Sequence, residues 1–455
     1  MQRERSLGKR LALGCGGLVV VLLVLALAAY VILHVAGGRQ VRAALARVKA
    51  SGAPTTWQQA IPPPIPDDQN AAVLYEKAFA ALILSSQAKS EVLQYLYTPS
   101  RNERKALEEN LRGILNENAQ ALAYAREAAH RPKCRFDRNW SGAVMMLMPE
   151  LSPLKSVARL ASARAVLQAD EGDLASALPS WSLNLSIVNH LDADPTLMGQ
   201  LTRYNMLHTA ATSLQCILAD GRPSPEQCRR LSDDLGKVNI SDAFVRSLEG
   251  ERTLSLWILD VVRRDPRGIE PLPRGQGSYP GAAVLAPLTA LGYRAISPFD
   301  RAAMLRFWER HLALARKPYR EGKGRFEGLR DGIPGYALVT RDFTMSFEGA
   351  VAARDQALAD IGLMRTALGL EAYHTEIGLY PESLEALRKR VRWEVPDDPF
   401  SGEDFVYRRR GKGCLLYSLG RDLDDDGGAR ERILTDSKDP LKSIRDGDMI
   451  WPVER

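Results

Sequence analysis

The sequence has few of the residues from which metal and redox centres are usually built. It contains five cysteines and six histidines among 455 residues, and no two cysteines have the CxxC spacing of zinc ribbons and thiol oxidoreductases. The HExxH motif of zinc hydrolases, the GxxxxGK phosphate-binding loop and the nucleophile elbow of serine hydrolases are also missing from it. Reaction classes that depend on these motifs are excluded, so we predict no catalytic residues and no enzymatic activity.

The remaining histidines and cysteines have structural interpretations. His190 lies near two aspartates and His208 follows further along the chain, which could in principle form a metal site, but we favour a helix end with a solvated histidine. Cys216 and Cys228 flank a turn-forming stretch at residues 220–225. They could form a disulfide in an oxidising compartment, and two buried free thiols are the favoured alternative.

A concentrated excess of basic charge is also missing. The formal net charge is +6, and about half of that excess lies in the first ten residues, a basic tail at 1–10. The only dense basic run further on is at residues 408–412, at the tip of a predicted hairpin. Nucleic-acid binding needs a basic stripe, so we predict no nucleic-acid partner.

Only one stretch is apolar enough to span a membrane. Residues 11–38 contain no charge, and Leu18 to Val35 is almost continuously aliphatic. Because a hydrocarbon core of roughly 30 Å needs about 20 apolar residues, we predict a transmembrane helix at residues 11–36.

The length of this stretch favours an uncleaved signal anchor, although residues 36–38 would suit a signal peptidase. Basic residues flank both sides of it, so the positive-inside rule discriminates little. We expect a single-pass protein of the bacterial cytoplasmic membrane, with the short tail inside and the bulk of the chain extracytoplasmic.

The rest of the chain divides into four predicted parts. They are a juxtamembrane helix with a proline-rich spacer at 37–69, a helical domain at 70–263, an irregular segment with one helix at 264–345, and an α+β domain at 346–455. Helical periodicity and capping residues predict helices at 71–84, 90–98, 101–129, 152–170, 173–191, 196–219, 225–235, 242–262 and 299–315. No regular 34-residue repeat is present, so the sequence predicts a helical bundle or an irregular solenoid.

The last part has a different pattern. A long helix is predicted at residues 347–378, ending at a glycine, and a short helix begins near residue 384. Alternating residues at 404–408 and 414–419 predict a β-hairpin. The fold class is therefore mainly α, with a small antiparallel sheet at the end.

The order of these elements resembles the C-terminal domain of the major, G-type pseudopilin of type II secretion. The matching segments are residues 378–381, 384–387, 398–402, Tyr407, 417–422 and 446–451. The resemblance implies a helix packed on a small antiparallel sheet and a Ca²⁺ ion in the loop after the hairpin. The membrane span has no acidic residue, whereas that of a pseudopilin has a glutamate. The resemblance therefore applies to the C-terminal domain and not to the membrane helix. The whole layout is similar to that of uncharacterised bacterial membrane-anchored proteins.

The loop after the hairpin contains the candidate metal ligands. Carboxylates alternate at Asp422, Asp424 and Asp426 before a glycine, a pattern that suits a hard cation such as Ca²⁺. A true EF-hand is excluded, because its twelfth position is Ile433. The resemblance implies two further candidate ligands beside the carboxylates of the loop. They are the backbone near Leu419 and the side chain of Asp448.

These observations predict a non-catalytic, single-pass membrane-anchored envelope protein. Its helical domain would bind a protein partner or polymer, and its C-terminal module would be stabilised by a structural Ca²⁺ ion, with a possible link to secretion or surface assembly. The alternative is a membrane-anchored hydrolase or ligand-binding protein whose site is assembled in the helical region from residues distant in sequence. A pocket with convergent acids or histidines would favour that alternative.

Overall fold

The computed structural model describes residues 2–264, 286–429, 432–435 and 443–453. The described chain is mainly helical, with one N-terminal apolar helix and a small three-stranded antiparallel sheet, which confirms the predicted fold class at that level. The α-helices are α1 (Gln2–Ala50), α2 (Trp57–Ala60), α3 (Ala72–Ala80), α4 (Ser86–Tyr97), α5 (Arg101–Arg104), α6 (Glu108–Glu117), α7 (Ala119–Ala129), α8 (Leu151–Asp170), α9 (Leu174–His190), α10 (Leu197–Asp220), α11 (Pro225–Gly236), α12 (Ser241–Arg264), α13 (Ala286–Ala315), α14 (Tyr319–Gly322), α15 (Gly328–Asp331), α16 (Leu338–Phe343), α17 (Glu348–Ile377) and α18 (Leu384–Val391). The strands are β1 (Val406–Arg410), β2 (Gly413–Ser418), β3 (Arg432–Thr435), β4 (Ser443–Asp446) and β5 (Met449–Val453).

Helix α1 joins the predicted anchor and the predicted juxtamembrane helix into one continuous element. Its segment Val20–Ala50 is long and apolar enough, by length and composition, to cross a membrane or to act as a signal sequence. Leu18 and Val35 are 61% and 44% exposed, whereas Gly37 and Ala44 are buried against α13. The apolar part of α1 therefore projects from the body, and one face of its C-terminal part, with Val41, Ala44, Leu45 and Val48, packs against the core.

Helices α8, α9 and α10 form the centre of the helical region. The helices predicted at 152–170 and 173–191 are present as α8 and α9. They form a hairpin whose turn contains Gly172, with a φ of 85°, and Asp173, whose side chain accepts a hydrogen bond from the Ser176 N–H at 3.0 Å. Most side chains of α8 are buried, and many of them are alanine. Small side chains let neighbouring helices approach closely and pack at high density.

The predicted helix at residues 101–129 is wrong as a single element, because the chain breaks at Asn118 between α6 and α7. The Asn118 amide donates to the carbonyl of Ile83 and accepts from the N–H of the same residue, both at 2.9 Å. A buried asparagine that bonds a distant backbone segment competes with the helical ladder. Propensity within this window does not reveal that tertiary contact.

Helix α17 belongs to the core of the helical region as well as to the C-terminal part. It packs against α10 and α11 on one side and against the C-terminal segments on the other. A Cβ atom at Gly369 would lie 2.6 Å from the Trp393 ring, and one at Gly362 would lie 2.5 Å from the Phe405 ring. These two glycines let the aromatic rings rest directly on the helix backbone. The boundary at residue 346 stays a prediction, and the hydrophobic core is continuous across it.

Helix α13 begins well before the helix predicted at residues 299–315. Pro298 lies inside it and cannot donate to the carbonyl of Arg294, and the Ser297 hydroxyl donates to that carbonyl instead, at 3.1 Å. The helix therefore continues through the proline. The glycine- and proline-rich stretch predicted earlier in this segment lies outside the described residues, at 265–285.

The sheet has the strand order β1-β2-β5, and all neighbours are antiparallel. Strands β1 and β2 form the predicted hairpin, with Gly411 and Lys412 as its two-residue turn. Strand β5 pairs with β2 so that Trp451 lies opposite Leu416 and Ile450 lies opposite Tyr417. Strands β3 and β4 form a separate antiparallel pair.

Candidate functional site

Asp398 links two of the motifs in the C-terminal part. Its carboxylate is buried and accepts hydrogen bonds from the Ser418 hydroxyl at 2.7 Å, the Phe400 N–H at 3.0 Å and the Leu419 N–H at 3.2 Å. Burial raises the pKa of Asp398, and these hydrogen bonds oppose that shift. The 398–402 turn therefore fixes the position at which the acidic loop leaves β2.

Asp422 connects the acidic loop to the turn between β4 and β5. One of its oxygens accepts from the Asp424 N–H at 3.2 Å, and the other accepts from the Gly447 N–H. The loop passes very close to this turn, because a Cβ at Gly420 would lie 2.7 Å from the Gly447 carbonyl oxygen and Gly420 has a φ of 76°. Only glycine suits such an approach at a positive φ. Asp422 is thus held by backbone amides.

Asp448 reaches the same loop from the other side. Its Oδ2 accepts from the Gly428 N–H at 2.8 Å, and its own N–H donates to the Ala429 carbonyl at 2.9 Å. Its Oδ1 is buried and has no hydrogen-bond partner among the described residues. Burial, together with the negative charges of Asp425 and Asp426, raises the pKa of Asp448, while hydrogen bonds from the Gly428 and Asp426 N–H groups oppose the shift.

The other two predicted carboxylates, Asp424 and Asp426, are exposed. Asp425, which the alternating pattern passes over, accepts hydrogen bonds from the Tyr417 hydroxyl at 2.7 Å and from the Gly427 N–H at 2.9 Å. These bonds lower the pKa of Asp425. Burial, and next the hydrogen bond to Asp425, raise the pKa of Tyr417 to about 12.

The fit of this loop to a cation can be judged from these contacts. The structure brings Asp422 and Asp448 to one junction, and the unpartnered Oδ1 of Asp448 is the kind of buried oxygen that a cation or water satisfies. No group of three or more potential His, Cys, Asp or Glu ligands converges among the described residues. The metal site at Leu419, Asp422, Asp424, Asp426 and Asp448 therefore stays a prediction.

A second feature is a cleft of mixed polar and apolar lining between the helical region and the sheet. It has a volume of about 370 Å³ and lies where α10 and α17 meet the end of α4 and the start of β5. The Gln215 amide donates to the Ile450 carbonyl at 3.3 Å and ties β5 to α10. The lining side chains that carry polar atoms are His208, Thr212, Gln215, Gln356, Asp360 and Asp448, with Tyr97 and Cys216 at the α4 end.

The cleft contains a histidine–carboxylate pair. His208 Nδ1 lies 3.2 Å from Asp360 Oδ2, and Asp360 is buried while the His208 side chain is 42% exposed. A buried carboxylate next to an imidazole orients the ring through the Nδ1 contact. The two residues are 152 positions apart on different helices, so no local sequence pattern could have paired them.

The other histidine and cysteine predictions have mixed outcomes. The interpretation of His190 as solvated is wrong: it is half-buried, with Tyr75 Oη 2.7 Å from its Nδ1 and the Arg131 carbonyl 2.9 Å from its Nε2, and burial lowers its pKa. His190 and His208 do not form a common site, since each has its own partners. Cys216 and Cys228 are buried and do not form a disulfide, which agrees with the favoured alternative.

Comparison of the chain with protein-family models, with curated proteins and with solved structures finds no match.

Proposed function

We propose that this chain is a non-catalytic, single-pass membrane-anchored envelope protein with a helical interaction domain and a calcium-stabilised, pseudopilin-like C-terminal module. One observation carries the proposal: α1 is a single helix whose apolar half is exposed and whose other half packs into the body. Exposed aliphatic side chains over that length are costly in water and favourable in lipid. The body would be held directly at the membrane surface.

The contacts of the inner half of α1 support a fixed attachment over a flexible tether. Arg47 forms a bidentate ion pair with Glu309 of α13, with both N–O distances at 3.0 Å. Gly37 packs against Pro298, which lies on the same helix as Glu309. The stretch suited to signal peptidase surrounds Gly37, so cleavage there would cut a packed helix. We expect the uncleaved form.

Membrane integration can be tested with the full chain expressed in bacteria. Replacing Val24 and Leu25 by arginine should cost roughly 2.5–3.5 kcal/mol for each residue near the centre of a membrane helix. We expect the native protein to stay in the membrane pellet after alkaline extraction, and V24R/L25R to move to the supernatant. The matched control is E103R/E109R, which adds two arginines at exposed positions of the body and should stay in the pellet. An extractable native protein would contradict the proposal.

The calcium part of the proposal rests on the junction of Asp422 and Asp448. A bound cation would satisfy Asp448 Oδ1 and offset the repulsion among the loop carboxylates. A cation that binds only the folded state raises the stability of that state by mass action. A gain in stability that depends on these two side chains is therefore the expected signature.

The measurement is thermal unfolding of the detergent-solubilised full chain in Ca²⁺, in Mg²⁺ and in chelator. We expect a higher Tm in Ca²⁺ than in chelator, and the difference should disappear in Asp422→Ala and in Asp448→Ala. Asp233→Ala, which removes an exposed carboxylate from α11, should keep the difference. An unchanged native Tm in Ca²⁺ would remove calcium from the proposal and leave the anchor untouched.

A ligand-binding role is the second candidate, and the cleft that contains His208 and Asp360 favours it. The test is a thermal-shift panel of small carboxylic acids, amines and sugars. Compounds that raise the Tm of the native chain and not that of Thr212→Trp, which fills the cleft, would support this candidate. A panel without such compounds would count against it.

A further inference from the structure

Helices α1 and α13 run parallel, side by side. Three contacts fix their relative direction: Gly37 approaches Pro298, the Arg306 guanidinium donates to the Gln40 side chain at 3.0 Å, and Arg47 pairs with Glu309. Residue numbers rise together along both helices. The first turns of α13 therefore extend in the same direction as the exposed apolar half of α1.

The register gives the depth that α13 reaches. Ala286 lies twelve residues before Pro298, which is about 18 Å at the rise of an α-helix. The apolar stretch of α1 ends at Val35, only two residues before Gly37. By this register, the first two turns of α13 lie beside the apolar stretch of α1 and come before Tyr293, which is buried in the core of the body.

The sequence of this part of α13 suits such a position. The chain has no charged residue between Arg274 and Arg294. Arg294 is exposed, and its long side chain could extend back to the headgroups from a helix that enters the bilayer. Tyr293, the residue before Arg294, is buried and donates from its hydroxyl to Asp300 at 3.3 Å, so it marks the point at which α13 enters the core of the body. Pro287 also removes one of the N–H groups that a helix N-terminus leaves unpaired.

We infer that the first two turns of α13, at residues 286–292, are a second lipid-contacting element, which enters the body-side leaflet next to the anchor. The inference rests on the proposed membrane anchorage and adds to it. It gives the 264–345 segment a role: the single-pass helix and α13 would form a two-helix wedge that fixes the height and tilt of the body above the bilayer. The proposed partner is the acyl-chain boundary of the membrane, because α13 has no charged residue before Arg294 and carries charged residues from Arg294 onward.

The test uses the full chain in vesicles of phosphatidylethanolamine and phosphatidylglycerol that contain nitroxide-labelled lipids. Single cysteines at residues 288, 289, 290 and 291 carry an environment-sensitive fluorophore, so that one full turn of α13 is sampled whatever its rotation. Ile32→Cys on the anchor is the positive reference, Arg310→Cys on the exposed far part of α13 is the matched control, and the unsubstituted chain corrects for labelling of native cysteines.

We expect at least one of the four α13 positions to be quenched nearly as strongly as Ile32→Cys and roughly threefold more than Arg310→Cys, because only the first lies within the bilayer thickness. Quenching at Ile32→Cys with all four positions at the level of Arg310→Cys would overturn the inference and leave the anchor in place. Absence of quenching at Ile32→Cys would overturn the anchor and the inference together.

Discussion

Two regions of this molecule hold aspartates in opposite ways. In the helical region, Asp170 is buried and receives two hydrogen bonds from the Arg104 guanidinium, at 2.7 and 2.8 Å, and a third from the Tyr95 hydroxyl at 2.7 Å. In the acidic loop, Asp422 and Asp448 are held by backbone amides, with no cation at their carboxylates among the described contacts. Asp170 is paired with a cationic side chain, whereas Asp422 and Asp448 are positioned by amides without such a partner among the described contacts.

The difference shows what each region can do. A buried carboxylate that is neutralised by arginine and fully hydrogen-bonded is part of the fold, because removal of either partner leaves an uncompensated charge. Carboxylates that are oriented by amides and keep their charge repel one another, so that an external cation stabilises them. The same residue type therefore supports the core in one place and a proposed ion site in the other.

The largest expected effect is at Asp170. Asp170→Ala leaves the buried Arg104 guanidinium without its counter-charge, and we expect the free energy of unfolding to fall by about 3–5 kcal/mol. Denaturant unfolding of the solubilised chain, followed by circular dichroism, measures it. Asp424→Ala, which removes an exposed loop carboxylate, should change stability by less than about 0.5 kcal/mol. If Asp170→Ala and Asp424→Ala lowered the free energy of unfolding equally, the proposed difference between core and loop carboxylates would be wrong.

Much of the helical region could be predicted, and the reason is local. The hairpin of α8 and α9 follows from Gly172, the cap at Asp173 and a run of alanines, all of which act over a few residues. The break at Asn118 could not be predicted in this way, because it depends on a contact with Ile83, 35 residues earlier. The packing of α13 along α1 depends on contacts across more than 250 residues.

The candidate site divides in the same way. The turn at 398–402 and the acidic loop were recognisable as motifs, and the structure joins them through Asp398, Ser418 and Leu419. The alternating pattern pointed to Asp424 and passed over Asp425, since spacing alone does not show which side chain meets the Tyr417 hydroxyl. The cleft between α10 and α17 exists only in three dimensions.

A second prediction concerns His311, a buried titratable group that has no charged partner of the kind that Asp170 has in Arg104. His311 is fully buried among aromatic rings, and neither ring nitrogen has a hydrogen-bond partner among the described residues. Burial lowers its pKa from 6.5 to about 4. The unfolded chain therefore binds a proton at a higher pH than the folded chain, and stability is lost as the pH falls from about 6.5 to about 4.

The loss attributable to His311 should be about 3 kcal/mol over that range. The measurement is the difference between the native chain and His311→Leu in denaturant unfolding at several pH values, because other groups titrate in both proteins. We expect the native chain to lose stability relative to the variant as the pH falls, with no further relative change below about pH 4. Parallel curves would show that the aromatic cluster tolerates an unpaired charge.

The smallest expected effect is at Asp448. The sign of the change in stability on its substitution decides whether a loop carboxylate stabilises the fold as Asp170 does. Asp448→Asn keeps an oxygen that can accept from the Gly428 N–H and removes a charge that burial and its acidic neighbours oppose. In chelator at neutral pH, we expect stability to stay the same or to rise by up to about 1 kcal/mol. Because the pKa of Asp448 is raised, the native chain protonates this group as the pH falls, and any advantage of the variant should disappear below about pH 4.

In Ca²⁺ the order of stability of native chain and variant should reverse, since only the native chain would gain from the cation. A loss of several kcal/mol in chelator would instead place Asp448 with Asp170, as a carboxylate that the fold itself requires.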